Sequence, residues 1–265
     1  SWRTYTSGTS NSFSISYDGA NRLTDATGSP YEEKGIEYDR NGNIRRLKRF
    51  KDNIQIDDLY YNEDGANYNG NRLMGVRDDI AGTAGQGGFN NTNSNTTTND
   101  YAYDANGNLT QDLNKNISAI AYNLLYLTRQ VTVNSNSVSY TYDASGNKHE
   151  MQAPGGVTTL YAGAFEYNSS GTLQRIGLEE GQLIRDGDNY TVNYYLKDHL
   201  GNVRTVINET GTTVLQETDY YPFGLPVVRN GEANNKYLYN GKEKQPETGW
   251  LDYGARMYMS DIGRW

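Results

Sequence analysis

The sequence contains no cysteine and only two histidines, His149 and His199. The absence of cysteine excludes disulfides, zinc–cysteine sites, iron–sulfur clusters and thiol nucleophiles. The two histidines lie far apart and fit neither a two-histidine metal site nor a Ser-His-Asp set. No stretch approaches the ~18 consecutive apolar residues of a membrane helix. We therefore predict a chain without a cofactor, a metal site or a membrane span.

Basic and aliphatic residues are scarce as well. Lys and Arg number 24 against 32 Asp and Glu, and the resulting net charge of −8 argues against nucleic acid as a partner. Leucine, isoleucine, valine and phenylalanine make up only 47 of the 265 residues, which is below the ~20% at which disorder is suspected. A net charge of −8 is nevertheless weak for a disordered chain of this length.

Tyrosine supplies the apolar surface that the aliphatic residues do not. The chain has 24 tyrosines and 3 tryptophans. A tyrosine ring can be buried while its hydroxyl stays hydrogen-bonded, and aromatic pairs across neighbouring strands stabilise sheets. The composition therefore predicts an ordered protein whose strands bury tyrosine.

A short motif built on Tyr-Asp recurs along the chain. Its clear copies are Tyr17-Asp18, Tyr38-Asp39 with Gly42, Tyr103-Asp104 with Gly107, and Tyr142-Asp143 with Gly146. Weaker copies begin at Tyr61, Tyr122 and Tyr167. Neighbouring copies are mostly about 20 residues apart, which is the length of two short strands and two turns.

Each copy contains the elements of a β-hairpin. Apolar residues alternate before the tyrosine, as in Phe13, Ile15 and Tyr17, and alternation places them on one face of a strand. The aspartate can accept hydrogen bonds from backbone amides two residues on, and the glycine supplies a positive φ. Because Gly or Asn interrupts nearly every stretch long enough for a helix, helices are expected to be rare. We predict an all-β chain of antiparallel hairpins that stack on their neighbours and wind into a spiral.

The pattern resembles the tyrosine-aspartate (YD) repeats of RHS proteins. The last third is similar to the RHS repeat-associated core, in versions from Bacteroidetes-type bacteria, over five consecutive stretches: 194–204, 219–224, 237–243, 248–258 and 261–265. The residues that carry this match are Asp198, His199, Gly201, Arg204, Tyr221, Pro222, Gly224, Gly241, Asp252, Arg256, Gly263, Arg264 and Trp265. We therefore expect YD repeats over 1–189, with a flexible polar insertion at about 81–99, and a core segment over 190–265.

The resemblance implies a structural function. In RHS proteins the spiral closes into a hollow shell that holds a C-terminal polypeptide, usually a toxin, and the core segment closes one end. The implied partners are the rest of the shell, the enclosed polypeptide and secretion machinery, and the implied location is outside a bacterial cell or on its surface. The start at Ser1-Trp2 leads us to expect a piece of a longer protein.

The resemblance implies no enzymatic activity within this chain. RHS proteins cleave themselves with aspartates of Asp-Pro motifs that follow the core, and here these would come after Trp265. We expect Asp252 and Asp261 to form turns or to pair with Arg256 or Arg264. His199 is expected to have a structural role.

Residues 186–189 are acidic but lack the full EF-hand pattern, so they are expected to form a hairpin turn rather than a calcium loop. The resemblance to YD repeats also leaves an alternative function open for the whole chain. As with YD repeats on some cell surfaces, this alternative is cell-surface adhesion or carbohydrate binding, in which exposed tyrosines would stack on sugar rings.

Overall fold

The computed structural model describes residues 2–3, 8, 10–62, 70–80, 87–90, 99–231 and 235–265. Of the described residues, 56% are in strands and 4% in helices, and the strand pairings among them are antiparallel, so the predicted all-β class is confirmed. The helical residues of the described part are 3-10 turns at Leu113–Lys115, Pro154–Gly156 and Tyr239–Gly241. Most of the predicted insertion at 81–99 lies outside the described residues.

The chain forms two compact units. The first contains residues 1–118 together with Tyr221–Leu225, and the second contains Ala119–Tyr220 together with Pro226–Trp265. The predicted start of the core segment at residue 190 falls inside a strand of the second unit.

Strands of the first unit follow one another in chain order. They are β1 (Trp2–Arg3), β2 (Ser10–Asn11), β3 (Phe13–Tyr17), β4 (Leu23–Gly28), β5 (Tyr31–Tyr38), β6 (Ile44–Lys51), β7 (Ile54–Tyr61), β8 (Val76–Asp78), β9 (Tyr101–Tyr103) and β10 (Leu109–Asp112). Strands β3 to β8 form a six-stranded sheet, in which each strand pairs with the next. Strands β9 and β10 form a hairpin that belongs to a second sheet.

The second unit is a longer meander. Its strands are β11 (Ile117–Tyr122), which begins in the first unit, β12 (Thr128–Val133), β13 (Asn136–Tyr142), β14 (Lys148–Ala153), β15 (Val157–Ala162), β16 (Phe165–Tyr167), β17 (Leu173–Leu178), β18 (Gly181–Asp186), β19 (Asn189–Lys197), β20 (Val203–Asn208), β21 (Val214–Tyr220) and β22 (Pro226–Asn230). Each of these strands pairs with the next along the chain. A separate three-stranded sheet follows, made of β23 (Glu243–Lys244), β24 (Leu251–Asp252) and β25 (Met257–Tyr258).

The Tyr-Asp motif forms a hairpin turn, as the turn between β9 and β10 illustrates. The Asp104 amide donates to the Asn108 carbonyl at 3.0 Å, and the Gly107 amide donates to the Asp104 carbonyl at 3.1 Å. Asp104 Oδ1 accepts from the Asn106 and Asn108 amides at 2.9 Å each, while Asn108 Nδ2 donates to Asp104 Oδ2 at 2.8 Å. Gly107 has φ 88°, which makes this a type I turn followed by a left-handed residue and a bulge.

The same turn recurs through both units. An aspartate or asparagine accepts from the backbone amides two and four residues on at Asp18, Asp39, Asn123, Asp143, Asn168 and Asp198. The stretch that opens the predicted core segment, Asp198 to Asn202, is therefore one more repeat turn. Its spacing of Asp, Gly and Asn is that of the Asp104 copy, so the sequence already carried this signal.

Tyrosine does build much of the buried surface. In the second unit, Tyr220, Tyr239 and Tyr258 follow one another with ring centroids 5.7 and 6.4 Å apart. Trp265 contacts Tyr253 and Tyr258 at 4.7 and 4.9 Å. These rings add to a core that also buries aliphatic residues such as Val203, Leu251 and Ile262.

Replacing Gly107 with valine is expected to lower the free energy of unfolding by about 1–3 kcal/mol, because a β-branched residue is strained at a left-handed φ. Ala105→Val, in the same exposed turn, is the matched control and is expected to change the free energy of unfolding little. Urea denaturation of both variants measures the difference. Equal losses in the two variants would show that the left-handed conformation is not what the glycine provides.

Candidate functional site

One face of the second unit's meander carries buried polar and charged side chains. Tyr161, Glu166 and Arg175 stand directly opposite one another on β15, β16 and β17. Glu166 and Arg175 are only 5% and 8% exposed. Buried charges must be paired and hydrogen-bonded. Glu166 and Arg175 pair with each other at 2.7 Å, whereas Lys148 on β14 and the second oxygen of Glu166 take partners from elsewhere in the unit.

The C-terminal segment, residues 235–265, supplies those partners. We call the resulting group the ionic cluster; its members are Lys148, Glu166 and Arg175 from the meander and Lys236, Glu243 and Asp252 from the C-terminal segment. Three cations face three carboxylates, so the cluster has no net charge. This balance allows the segment to cover the face without leaving an unpaired charge behind.

The links of the ionic cluster are short. Lys148 Nζ lies 2.6 Å from Glu243 Oε2 and 2.7 Å from Asp252 Oδ2. Lys236 Nζ lies 2.6 Å from Glu243 Oε1 and 2.9 Å from Glu166 Oε2. Each lysine therefore joins two carboxylates, and Lys148 and Lys236 each connect the meander to the C-terminal segment.

Tyrosine hydroxyls complete the hydrogen bonding around the carboxylates. Tyr161 donates to Glu243 Oε1 at 2.8 Å, and Tyr237 donates to Glu166 Oε1 at 2.9 Å. Burial raises the pKa of both hydroxyls, with the nearby carboxylate charges acting in the same direction. Both tyrosines therefore remain protonated donors across the physiological pH range.

Two further tyrosines of the meander donate hydrogen bonds to the C-terminal segment. Tyr195 donates to Asn235 Oδ1 at 2.8 Å, and Tyr140 donates to Gln245 Oε1 at 3.2 Å. The Arg175 guanidinium also stacks on the Tyr237 ring, 4.0 Å from its centroid. The C-terminal segment is thus bound through side chains along the face, besides a backbone bond from Val203 to Leu238 at 3.1 Å.

Glu243 is the most strongly perturbed acid of the cluster. Burial opposes ionisation of its carboxyl, but the Lys236 and Lys148 ammonium groups outweigh burial and lower the pKa of Glu243 to about 2. For Lys148, burial disfavours the charged form, yet the Glu243 and Asp252 carboxylates raise its pKa. Both residues are therefore charged at neutral pH and serve as ion-pair partners rather than as acid or base.

A cleft of about 300 Å³ opens beside the cluster. Its lining includes Glu166, Arg175, Lys197, Tyr195 and Tyr237, together with several glycines. Glu166 and Arg175 are paired with each other, and Lys197 lies 3.6 Å from Glu180. Among the residues that the structure describes, no group of three His, Asp or Glu side chains is placed to hold a metal ion.

The first unit has its own buried ion network. Arg49 donates to Glu33 Oε1 at 2.7 Å and to Asp57 Oδ2 at 2.9 Å, and all three residues have 0% exposure. The turn Tyr221–Leu225 belongs to this unit, because the Phe223 amide donates to Glu33 Oε2 at 2.9 Å. Tyr221 donates to the Phe50 carbonyl at 3.0 Å.

The predicted core residues serve several local roles. Tyr221, Pro222 and Gly224 lie in the turn of the first unit. In the second unit, Arg204 lies 2.9 Å from Asp198 and 3.3 Å from Asp219. Positive φ angles are found at Gly201, Gly224, Gly241 and Gly263. His199 is exposed in its turn, and Arg264 pairs with Met259 in an isolated bridge.

Asp252 has a partner that the sequence did not indicate. The sequence predicts that Asp252 forms a turn or pairs with Arg256 or Arg264. It does close a turn, since Asp252 Oδ1 accepts from the Gly254 amide at 2.8 Å, but its ion-pair partner is Lys148. Arg256 instead lies over the Trp265 ring, 5.0 Å from its centroid.

The ionic cluster itself was missed by sequence reasoning. One signal was available, because the fourth clear copy of the motif ends in Lys148 where the first three carry Leu23, Ile44 and Leu109. A lysine at a position that is otherwise aliphatic indicates an inward-facing charge that needs a partner. Residues 186–189 form a hairpin turn as expected, with Asp186 opposite Asn189.

Comparisons with known proteins give short or distant matches. No family model matches the chain. Salivary gland surface protein 1 of Aedes aegypti is 38% identical over 85 residues, which are 31% of this chain and 2% of that protein. A crystal structure of TcdB2-TccC3-Cdc42 has 17% identity and a TM-score of 0.46, and the match covers 96% of this chain and 18% of that one.

A structure of the Photorhabdus luminescens Tc holotoxin pore, with a substitution in TccC3, has 17% identity and a TM-score of 0.47 and covers 96% of this chain and 17% of that one. The chain therefore spans less than a fifth of the solved chains and a small fraction of the curated relative. In the described part of the chain, no helix has the length and apolar character needed to cross a membrane.

Replacing Glu243 with glutamine is expected to lower the free energy of unfolding by about 3–5 kcal/mol, because it leaves the partly buried Lys148 and Lys236 without the buried carboxylate that they share. Glu209→Gln, in an exposed turn, is the matched control and is expected to have little effect. Guanidinium denaturation followed by tryptophan fluorescence measures both, since Trp250 is buried in the C-terminal segment. Equal stability of the Glu243 variant and the unmodified chain would contradict the proposed role of the cluster.

The contribution of Glu243 to the free energy of unfolding is expected to decrease as the pH falls. Its pKa is lowered to about 2 in the folded chain, against 4.5 ordinarily. A lowered pKa stabilises the folded state above the unfolded pKa, and this stabilisation is lost as pH falls toward the folded pKa. The difference in unfolding free energy between the unmodified chain and Glu243→Gln is expected to shrink between pH 5 and pH 3. A difference that stays constant over this window would contradict the pairing.

Proposed function

We propose that this chain is a section of a structural shell that encloses a polypeptide following it, as in an RHS-family polymorphic toxin or a large secreted surface protein. The observation that carries the proposal is the attachment of the C-terminal segment to one face of a long hairpin meander. A meander of this kind provides a wall, and the segment provides a covering element fixed to that wall. The YD motifs and the five core stretches support the same interpretation.

The local closure of the repeat turns is compatible with a sheet to which further hairpins can be added. Each repeat hairpin is closed by its own aspartate or asparagine, so one more repeat can be added without altering those before it. The buried charges are compensated within the unit, so the face beneath the C-terminal segment is stable without a ligand. The proposed partners are accordingly the remaining shell and the enclosed polypeptide, outside a bacterial cell or on its surface.

We further propose that the chain itself is not an enzyme. Asp252, the core aspartate that resembles a catalytic candidate, is held by Lys148 at 2.7 Å and by the Gly254 amide at 2.8 Å. A carboxylate with both oxygens engaged in this way serves as a structural ion pair. Self-cleavage, where it occurs, would use aspartates that follow Trp265.

The full natural protein tests the enclosure directly. The polypeptide that follows residue 265 is expected to resist trypsin in the intact protein and to be degraded at least tenfold faster when expressed alone. Mass spectrometry of the time course measures both rates. Equal degradation rates in the intact protein and in the isolated polypeptide would overturn the proposal.

A second candidate is adhesion through surface tyrosines. Tyr17, Tyr190 and Tyr194 are 60%, 42% and 44% exposed, and tyrosine rings can stack on sugars. The matched relative from Aedes aegypti is called a surface protein. This candidate predicts binding to a glycan array that Tyr190→Ala/Tyr194→Ala reduces at least tenfold, whereas uniform absence of binding would remove it.

A further inference from the structure

One repeat turn differs from all the others in its composition. The turn between β11 and β12, residues 123–127, contains Leu124, Leu125 and Tyr126 where the corresponding turn at Asp104 contains Ala105, Asn106 and Gly107. Leu124 is 99% exposed, Leu125 is 49% exposed and Tyr126 is 56% exposed. We call residues 124–126 the apolar tip.

The apolar tip has the backbone of a normal repeat turn. The Tyr126 amide donates to the Asn123 carbonyl at 3.0 Å, and Asn123 Oδ1 accepts from the Leu125 and Leu127 amides at 2.9 and 3.0 Å. Leu127, the next residue, is 9% exposed and anchors the turn. The three apolar side chains therefore project from a well-formed hairpin.

Tyr126 occupies a position that the other turns reserve for glycine or asparagine. Its φ is 59°, and the equivalent residues of other copies are Asn21, Gly42, Gly107, Gly146 and Gly171. A bulky residue in the left-handed region is strained. Because its ring is mostly exposed, no burial within the described chain compensates for that strain. A local rule broken without a structural gain indicates a function.

The size and shape of the tip favour a lipid surface over a rigid protein. Specific protein interfaces bury about 800 Å² per partner, whereas three side chains on a convex hairpin tip expose much less than that. A bilayer interface deforms around such a tip and needs no complementary shape. Leucine enters the acyl boundary and tyrosine suits the headgroup level.

The absence of charge along this stretch of chain agrees with a lipid surface. No charged residue occurs from Asn116 to Thr128, so all of β11 and the whole turn are neutral. Asn123 takes the position that Asp104 and Asp143 occupy in neighbouring copies, which removes the carboxylate that headgroup insertion would have to desolvate. Arg129 is the nearest charge along the chain, and a single arginine confers little preference for anionic lipid.

We propose that the apolar tip inserts into the interfacial region of a lipid bilayer and holds this hairpin edge against a membrane surface. The tip is neutral and apolar, so we expect it to bind zwitterionic lipid and to need no anionic lipid. Phosphatidylcholine alone is therefore expected to be sufficient for binding. This inference stands independently of the proposed shell, because it rests only on the exposure, the backbone conformation and the charge of one turn.

Co-sedimentation of the full chain with phosphatidylcholine vesicles tests the inference. The variant Leu124→Ala/Leu125→Asn/Tyr126→Gly gives the turn the residues of the Asp104 copy. It is expected to reduce the partition coefficient at least tenfold, with a melting temperature unchanged or raised. Ser145→Asn, in the neighbouring turn, is the matched control and is expected to leave vesicle binding unchanged.

Three results would overturn the inference. The first is an unmodified chain that stays in the supernatant at millimolar lipid. The second is equal vesicle binding by the tip variant and the unmodified chain. The third is self-association of the unmodified chain, but not of the tip variant, in sedimentation velocity without lipid. The tip would then be a contact between copies of the chain.

Discussion

The structure depends on one local interaction, the side-chain oxygen of an aspartate or asparagine that accepts two backbone amides and closes the hairpins of the Tyr-Asp repeat. This bond, together with a left-handed fourth residue, fixes where the strands of those hairpins reverse. Since a slip of one residue would turn every side chain to the opposite face, the turns also decide which residues face inward. Tyr161, Glu166 and Arg175 form one row because the turns between their strands set that register.

Long-range structure follows from the charges that this register buries. On the face, Glu166 and Arg175 pair with each other, whereas Lys148 needs carboxylates from elsewhere in the unit. The C-terminal segment provides those carboxylates, and its Lys236 and Tyr237 bind the oxygens of Glu166. Charge compensation therefore helps to fix its position, together with the buried Trp250, Leu251 and Ile262, while its own short strands contain only two residues each.

The sequence predicted the local structure well and the long-range structure poorly. Hairpins, their period and the roles of Asp104 and Gly107 follow from chemistry within five residues of chain. Lys148 and Asp252 are 104 residues apart, and no local pattern connects them. The same holds for the turn Tyr221–Leu225, which resembles the core segment in sequence but packs in the first unit.

The central claim is that the ionic cluster fixes the C-terminal segment to the meander, and amide hydrogen exchange tests it most directly. The Leu238, Lys244 and Gln245 amides donate within the segment at 3.1, 2.7 and 2.8 Å. At neutral pH we predict that they exchange as slowly as amides of β13 and β19, and that Lys148→Met speeds their exchange at least tenfold while β13 stays protected. Exchange of these three amides at the rate of an unstructured peptide in the unmodified chain would contradict the account.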